Sequence, residues 1–372
     1  MRGDNRLDEY FGGGDKKERD CRLLADFKGF EVFRAACLQA ARNFFITHGY
    51  LELDTPALSP ALIPESCLEV FRTEYLKPFK TGEEAAVPLF LVPSPEVFIK
   101  PVIAAHGRSV FQLSKCYRNC ESVGHIHNPE FTMLEYYTMQ ADYRDSIKIT
   151  EVFLQTMTQA VAGLPLADPE LGAILSKPFL QLAMDEAFKR FAGFSLAEAE
   201  TPELAFHAER LGLGDRAQYE DWAWDDLYEL LLVHCIEPQL PPDVPVALLD
   251  YPARVPCLAR ERSEQRTAAD GRTYIWKTKE RWEVYVRGVE LANCYTEARD
   301  AGEINRSFVD EAAVKNATAR VPHPVPENFG GICARMPPCS GVAMGFDRLI
   351  MLLGGKKTLE PFLYGRKVQL TV

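Results

Sequence analysis

The period of the apolar positions changes several times along the chain, and each change marks an element. From Glu31 to His48, Phe33, Cys37, Ala40, Ala41, Phe44 and Phe45 recur at helical spacing, which predicts an amphipathic helix closed by Gly49, a residue suited to a left-handed cap. "YLELDTPALSP" then alternates and halts at two prolines, a strand running into a loop. "PLFLVPSPEVFIKPVIAAHG" predicts a buried strand, a turn and a short helix, and "SVFQLSKCYRN" and "PEFTMLEYYTM" the two strands of a long hairpin around the polar loop "CESVGHIH". Residues 145–240 read mainly as helix, through "DSIKITEVFLQTMTQAVAG", "FLQLAMDEAFKRFAG" and "WDDLYELLLVHCIEPQL". Strands return in "VPVALLDYP" and "RWEVYVRGVELANCYTEA", and "CSGVAMGFDRLIMLLGG" switches from strand to helix. Strands at both ends with helices between them predict an α+β domain on an antiparallel sheet. It is expected to fill residues 29–372, behind a flexible arm at 1–28 marked by the run "FGGGDKKERD".

The hairpin poses a chemical question. Phe131, Met133, Glu135 and Tyr137 fall on one face of its second strand, and a carboxylate on a face committed to a core needs a cationic partner. Arg118 closes the first strand, where a fixed guanidinium fork would suit a phosphate or carboxylate, although an Arg at a strand end is more often a surface residue. In "RWEVYVRGVELANCYTEARD" a turn at Arg287-Gly288 brings Glu283 and Glu290 to one face of a ribbon. Two like charges so placed repel unless a cation lies between them, which makes the pair a candidate Mg²⁺ clamp; a solvated hairpin face is the plainer alternative. In "GVAMGFDRLIMLL" small residues at 341, 343 and 345 permit close approach, and Asp347 opens an apolar helix.

Composition narrows the class without choosing within it. The chain has 372 residues, is 47% hydrophobic and carries a net charge of -11, which argues against binding nucleic acid through overall charge. No apolar run is long enough to span a bilayer and the start has no apolar leader, so a cytoplasmic protein is expected. The ten cysteines lack zinc-type pairing; Cys116 and Cys120 stand near His125 and His127, but reduced, mostly buried thiols are the simpler reading.

Order is more specific than any single signal. "GYLELDTPALSP", "YRN" followed by "HNPEFTMLE", and "GVAMGFDRL" resemble motifs 1, 2 and 3 of the class II aminoacyl-tRNA synthetases. "SPEVFIK", "HNPEFTMLEYY" and "GVELANCYTEARD" are similar to the lysyl subgroup, and "PPCSGVAMGFDRL" and "LLLVHCIEPQL" to its short paralogues, the elongation factor P lysine ligases. The resemblance spans roughly residues 30–355. It implies a six- to seven-stranded antiparallel sheet flanked by helices, in a homodimer joined through the motif 1 helix and Pro56. It implies ATP and Mg²⁺ as cofactors. Arg118 would hold the α-phosphate and the amino-acid carboxylate, His127 would reach the γ-phosphate, Phe131 and Arg348 would sandwich adenine, and Glu283 and Glu290 would hold the metal. Ser94, Glu96, Glu135, Tyr137, Asn293, Glu297 and Ala343 would bind lysine or (R)-β-lysine, whose two ammonium groups answer the question posed by Glu135. Ala343, where lysyl enzymes usually have Gly, favours the paralogue branch.

By the same resemblance the activated amino acid passes to a lysine of elongation factor P. About 30 residues precede the first helix and no anticodon-binding domain is expected, so tRNA is disfavoured as acceptor. Lysine activation with tRNA or another acceptor is the alternative, and a catalytically inactive amino-acid-binding paralogue is a third reading. The sequence departs from the family in four places: Arg118-Asn119-Cys120-Glu121 replaces the usual Arg-x-Glu, leaving Glu121 or Cys120 for the adenine amino group; His125 stands where the paralogues have Arg, two before the motif 2 His; Cys294 stands where Gly is usual; and "RTAADGRTYIW" reads as an inserted hairpin turning at Asp270-Gly271.

Overall fold

The computed structural model describes residues 16–82, 85–120, 124–268 and 270–363, with side chains from residue 29 onward. Helix α1 (Lys16–Thr47) ends where expected, with Gly49 left-handed at φ 82°, but begins inside the segment read as an arm. Phe33, Cys37, Ala41, Phe44 and Phe45 form its buried face, and Phe45 stacks on Phe111 with centroids 5.0 Å apart.

Two short strands, β1 (Leu51–Glu52) and β2 (Leu58–Ser59), flank Pro56. Strand β2 joins β3 (Arg72–Leu76) and β4 (Ala86–Leu91) in a small three-stranded sheet, which leads into α2 (Glu96–His106). The expected hairpin is β5 (Val110–Tyr117) with β6 (Glu130–Met139). Helices α3 (Tyr143–Val161) and α4 (Pro169–Leu175) follow. The next stretch, read as one helix, is instead strand β7 (Leu180–Ala183) and then α5 (Met184–Ala187), because "LQLA" lies parallel to β8 (Val246–Pro252) and completes the sheet edge. Helices α6 (Thr201–Arg210) and α7 (Trp224–Leu231) pack with that edge in a second apolar cluster.

Strands β9 (Glu261–Thr267) and β10 (Thr273–Val286) form the inserted hairpin. It turns at Asp270-Gly271 as expected, with Asp270 Oδ1 accepting the Arg272 amide at 3.0 Å. Strand β10 returns through Arg287-Gly288 into β11 (Val289–Thr296); both turn residues have positive φ, 52° and 73°, matching the twist of a two-residue hairpin. Helices α8 (Ala301–Thr318) and α9 (Phe329–Cys333) lead to β12 (Cys339–Gly345), and α10 (Phe346–Leu353) closes the fold.

The main sheet runs β1-β5-β6-β12-β11-β10-β8-β7, with β9 on β10. Among the described residues it has nine strands, more than the six or seven expected, and the extra ones are short β1, β7 at the far edge and the inserted β9. Its interior pairs are antiparallel, so the α+β class stands; β1–β5 and β7–β8 are parallel at the ends. One face is apolar: Leu134, Tyr136, Val342, Met344, Ala292, Cys294, Trp282 and Val284 pack on α1, α3 and α10 in the largest core. Strand alternation sends the residues between them to the other face, where the polar set lies.

Candidate active site

Register assembles the site. Gln112, Glu135, Ala343, Asn293 and Glu283 are successive partners across β5, β6, β12, β11 and β10, a straight row over five strands. One step along, Val110, Tyr137, Gly341, Tyr295 and Arg281 form a second row. Residues separated by more than 200 positions in the chain thus become neighbours on one face.

The carboxylate end lies over β6, β12 and β11. Ser94 Oγ donates to Glu135 Oε1 at 2.6 Å and the Tyr137 hydroxyl to Glu135 Oε2 at 3.1 Å. Burial, with Glu96 adding repulsion, pushes Glu135 up to about 8 against those two hydrogen bonds. Glu297, at the end of β11, is pushed up to about 7 by burial, opposed by Lys100. Gly341 is a spatial necessity here, since a Cβ would collide with Glu297 Oε1 and the Tyr137 ring. Asn293 donates from Nδ2 to the Tyr295 hydroxyl at 3.3 Å, while its Oδ1 is buried without a hydrogen-bond partner, an acceptor facing a site that lacks a donor.

The guanidinium end gathers the other set. Arg348, on the first turns of α10, donates from Nη1 to the Glu290 carbonyl at 2.8 Å and to Glu290 Oε2 at 3.2 Å, and from Nη2 to His127 Nε2 at 2.8 Å. The Arg118 guanidinium sits 5.3 Å from the Phe131 ring centroid. Arg281 donates to Glu283 Oε1 at 2.5 Å and packs over Tyr251, 4.3 Å from that centroid. Burial and the charge of Glu283 raise Glu290, against the pull of Arg348. Two carboxylates that repel on one ribbon face offer hard oxygen donors and suit a divalent cation. Among the described residues no group of three or more His, Cys, Asp or Glu could hold a metal ion.

The set is thus brought together at two ends of one face, except Glu121, which lies outside the described residues. Cys120, beside it, is exposed and left-handed at φ 56°. Cys294 is displaced from the site altogether: alternation points it into the core beneath the sheet. Sequence reasoning missed three participants. Lys100 pairs with Glu96 and with Glu297 Oε2, the latter at 2.7 Å; the signal available was its i,i+4 spacing from Glu96. Arg281 was legible only as an alternating partner of Glu283. Asp347 stands in the first turn of α10 as expected, and there its Oδ1 also accepts from Arg34 Nη1 at 2.6 Å and its Oδ2 from the Thr132 amide at 2.6 Å, pinning α10 and α1 to β6 beside Phe131.

An antiparallel sheet carrying an Arg-closed hairpin, a Glu-bearing ribbon and a small-residue strand running into an Arg-bearing helix defines a class II synthetase catalytic domain. The family of class II tRNA synthetases (D, K and N) matches residues 27–364, and the chain belongs to it. Among its relatives, the elongation factor P–(R)-beta-lysine ligase of Pectobacterium atrosepticum is 35% identical over 321 residues, covering 86% of this chain and 89% of that protein. The protein of the same name from Sodalis glossinidius is 34% identical over the same coverage.

Proposed function

We propose that this chain uses ATP to activate a lysine isomer, (R)-β-lysine by preference, and transfers it to the ε-amine of a lysine on elongation factor P. One observation carries the reading: on a chain related to enzymes of that name, the carboxylate end holds the buried Glu135 and Glu297, the half-buried Glu96 and an unpartnered amide oxygen, a lining complementary to two ammonium groups. Ala343 lies in register between Glu135 and Asn293, where its methyl narrows the floor of that pocket.

The donor's carboxylate oxygen attacks the α-phosphorus of ATP, the bond to pyrophosphate breaks, and an aminoacyl-adenylate forms. The acceptor amine then attacks the acyl carbon, AMP leaves with the bonding pair, and the amine proton is lost to solvent. No protein nucleophile is needed; positioning and charge neutralisation suffice. Arg118 spans the α-phosphate and the donor carboxylate, Phe131 and Arg348 receive adenine, and His127 meets the γ-phosphate. On this reading Arg348 releases some of its contacts to Glu290 and His127 as the nucleotide enters. Glu283 and Glu290 would hold Mg²⁺, which supplies further neutralisation of phosphate charge. The protein acts as a cytoplasmic homodimer joined through α1 and the Pro56 segment, and its acidic charge of -11 weighs against tRNA as acceptor. No helix among the described residues is long and apolar enough to cross a membrane.

ATP–pyrophosphate exchange with no amino acid, α-lysine, (R)-β-lysine and (S)-β-lysine in parallel tests activation. Mass measurement of elongation factor P after incubation tests transfer. Exchange with one lysine isomer and gain of one acyl group on elongation factor P are expected. Exchange with none would overturn the activation reading, and acylation of tRNA in place of the protein would overturn the acceptor.

A further inference from the structure

Lys100 is a lysine inside a pocket proposed to bind lysine. It is 1% exposed, and it reaches from the second turn of α2 to Glu96 on its own helix and to Glu297 on β11. An ammonium with two carboxylate partners satisfies the pairing demand of a buried charge, so a structural pin between α2 and the sheet would be one explanation. The rest of the pocket argues for more. Glu135 receives only neutral donors, Ser94 and Tyr137. The other groups near Lys100 are the thiols of Cys333 on α9 and Cys339 on β12, both raised by burial and hence neutral near pH 7, and Arg299 is the further cation acting on Cys339. Glu65 faces Glu96 as a further carboxylate, and Lys100 is the ammonium ion-paired to both Glu96 and Glu297.

Resting on the proposed lysine site, we infer that Lys100 is a positioning residue: its ion pairs with Glu96 and Glu297 hold both carboxylates aimed for the donor before it arrives. Burial opposes the charge on Lys100, but Glu297 and Glu96 hold its ammonium well above the usual lysine range, so it stays charged throughout. Without it, Glu96 and Glu297 lose their shared cation while Glu135 and Glu65 still act on Glu96. The pocket then takes up protons that an incoming donor must displace.

The experiment is the pH profile of ATP–pyrophosphate exchange for wild type, K100R, K100M and K100Q. For K100M we expect kcat/KM for the donor to fall about tenfold or more at pH 7, mostly through KM, and the acidic limb to move up by about one pH unit, with KM for ATP little changed. K100R should restore much of the loss. K100Q, which removes the charge but keeps a hydrogen-bond donor, should behave as K100M does and carries the test if K100M does not fold. An unshifted profile in K100M and K100Q, or K100R no better than either, would leave only a structural pin and overturn the inference while the activation reading stood. Wild-type protein inactive with every lysine isomer would remove both.

Discussion

At the carboxylate end, the polar groups hang from strands or from the first turns of α2, and they brace one another: Ser94 and Tyr137 on Glu135, Lys100 on Glu96 and Glu297. At the guanidinium end the same sheet hands over to the hairpin loop, and a long flexible cation, Arg348, is held by a ribbon carboxylate and an imidazole, Glu290 and His127. The first arrangement is set by strand register, which a folded core cannot easily change; the second consists of contacts that a bound polyanion can replace. Discrimination among amino acids requires fixed groups whose unpaired state is costly, whereas binding a triphosphate requires positive charge that can be re-aimed.

The contrast can be broken most severely at Arg118. Arg118→Ala is expected to lower ATP–pyrophosphate exchange by about 10²–10³-fold while the melting temperature barely moves, measured by exchange and calorimetry together. A protein that merely senses an amino acid would keep most of its lysine binding in that variant. Glu135→Gln acts at the other end: kcat/KM for the donor should drop by about 10²-fold with KM for ATP unchanged, since a buried ammonium would lose its anionic partner. Equal damage to both substrates would mean that the two ends are not separable.

Titration gives a smaller and more diagnostic effect. Glu135 and Glu297 are raised to about 8 and about 7, so between the ordinary carboxyl range and those values the folded protein holds more protons than the unfolded chain. Stability without ligand should therefore fall as pH rises from about 5 to 8, by at most about 1.4 kcal/mol per pH unit for each group. Donor affinity should rise over the same interval as the acids ionise. Denaturant melts at several pH values and calorimetric titration with the donor would read the two trends, and parallel movement of both would contradict the assignment. The smallest effect belongs to Cys294→Ala: a loss of about 1 kcal/mol in stability from the core, with KM for the donor unaltered. A change in that KM would show that the residue reaches the site after all.

Much of this was legible along the chain. Helical spacing in α1, the left-handed Gly49, the hairpin closed by Arg118, the turns at Arg287-Gly288 and Asp270-Gly271, and the strand-to-helix switch at Phe346 all stand where local pattern puts them, because each depends on neighbours within a few residues. Strand β7 did not read correctly, because its four residues are a strand only by lying against β8, more than sixty positions away. The sense of Cys294 was likewise hidden. As a motif departure it looked like a threat to the site, and only the direction of its side chain shows that it belongs to the core.

The sequence by itself determined the residue types and their order: which acids, guanidiniums and aromatics the chain owns, and on which face of each strand they fall. Only the tertiary structure decided their company. That Lys100 meets Glu297 across almost two hundred residues, that Asp347 at the start of α10 meets Arg34 and Thr132, and that Glu135, Ala343, Asn293 and Glu283 stand in one row are matters of strand order and register. Local periodicity fixes the face of each strand but carries no information about which strand lies beside it, and the electrostatics of the site arise between strands.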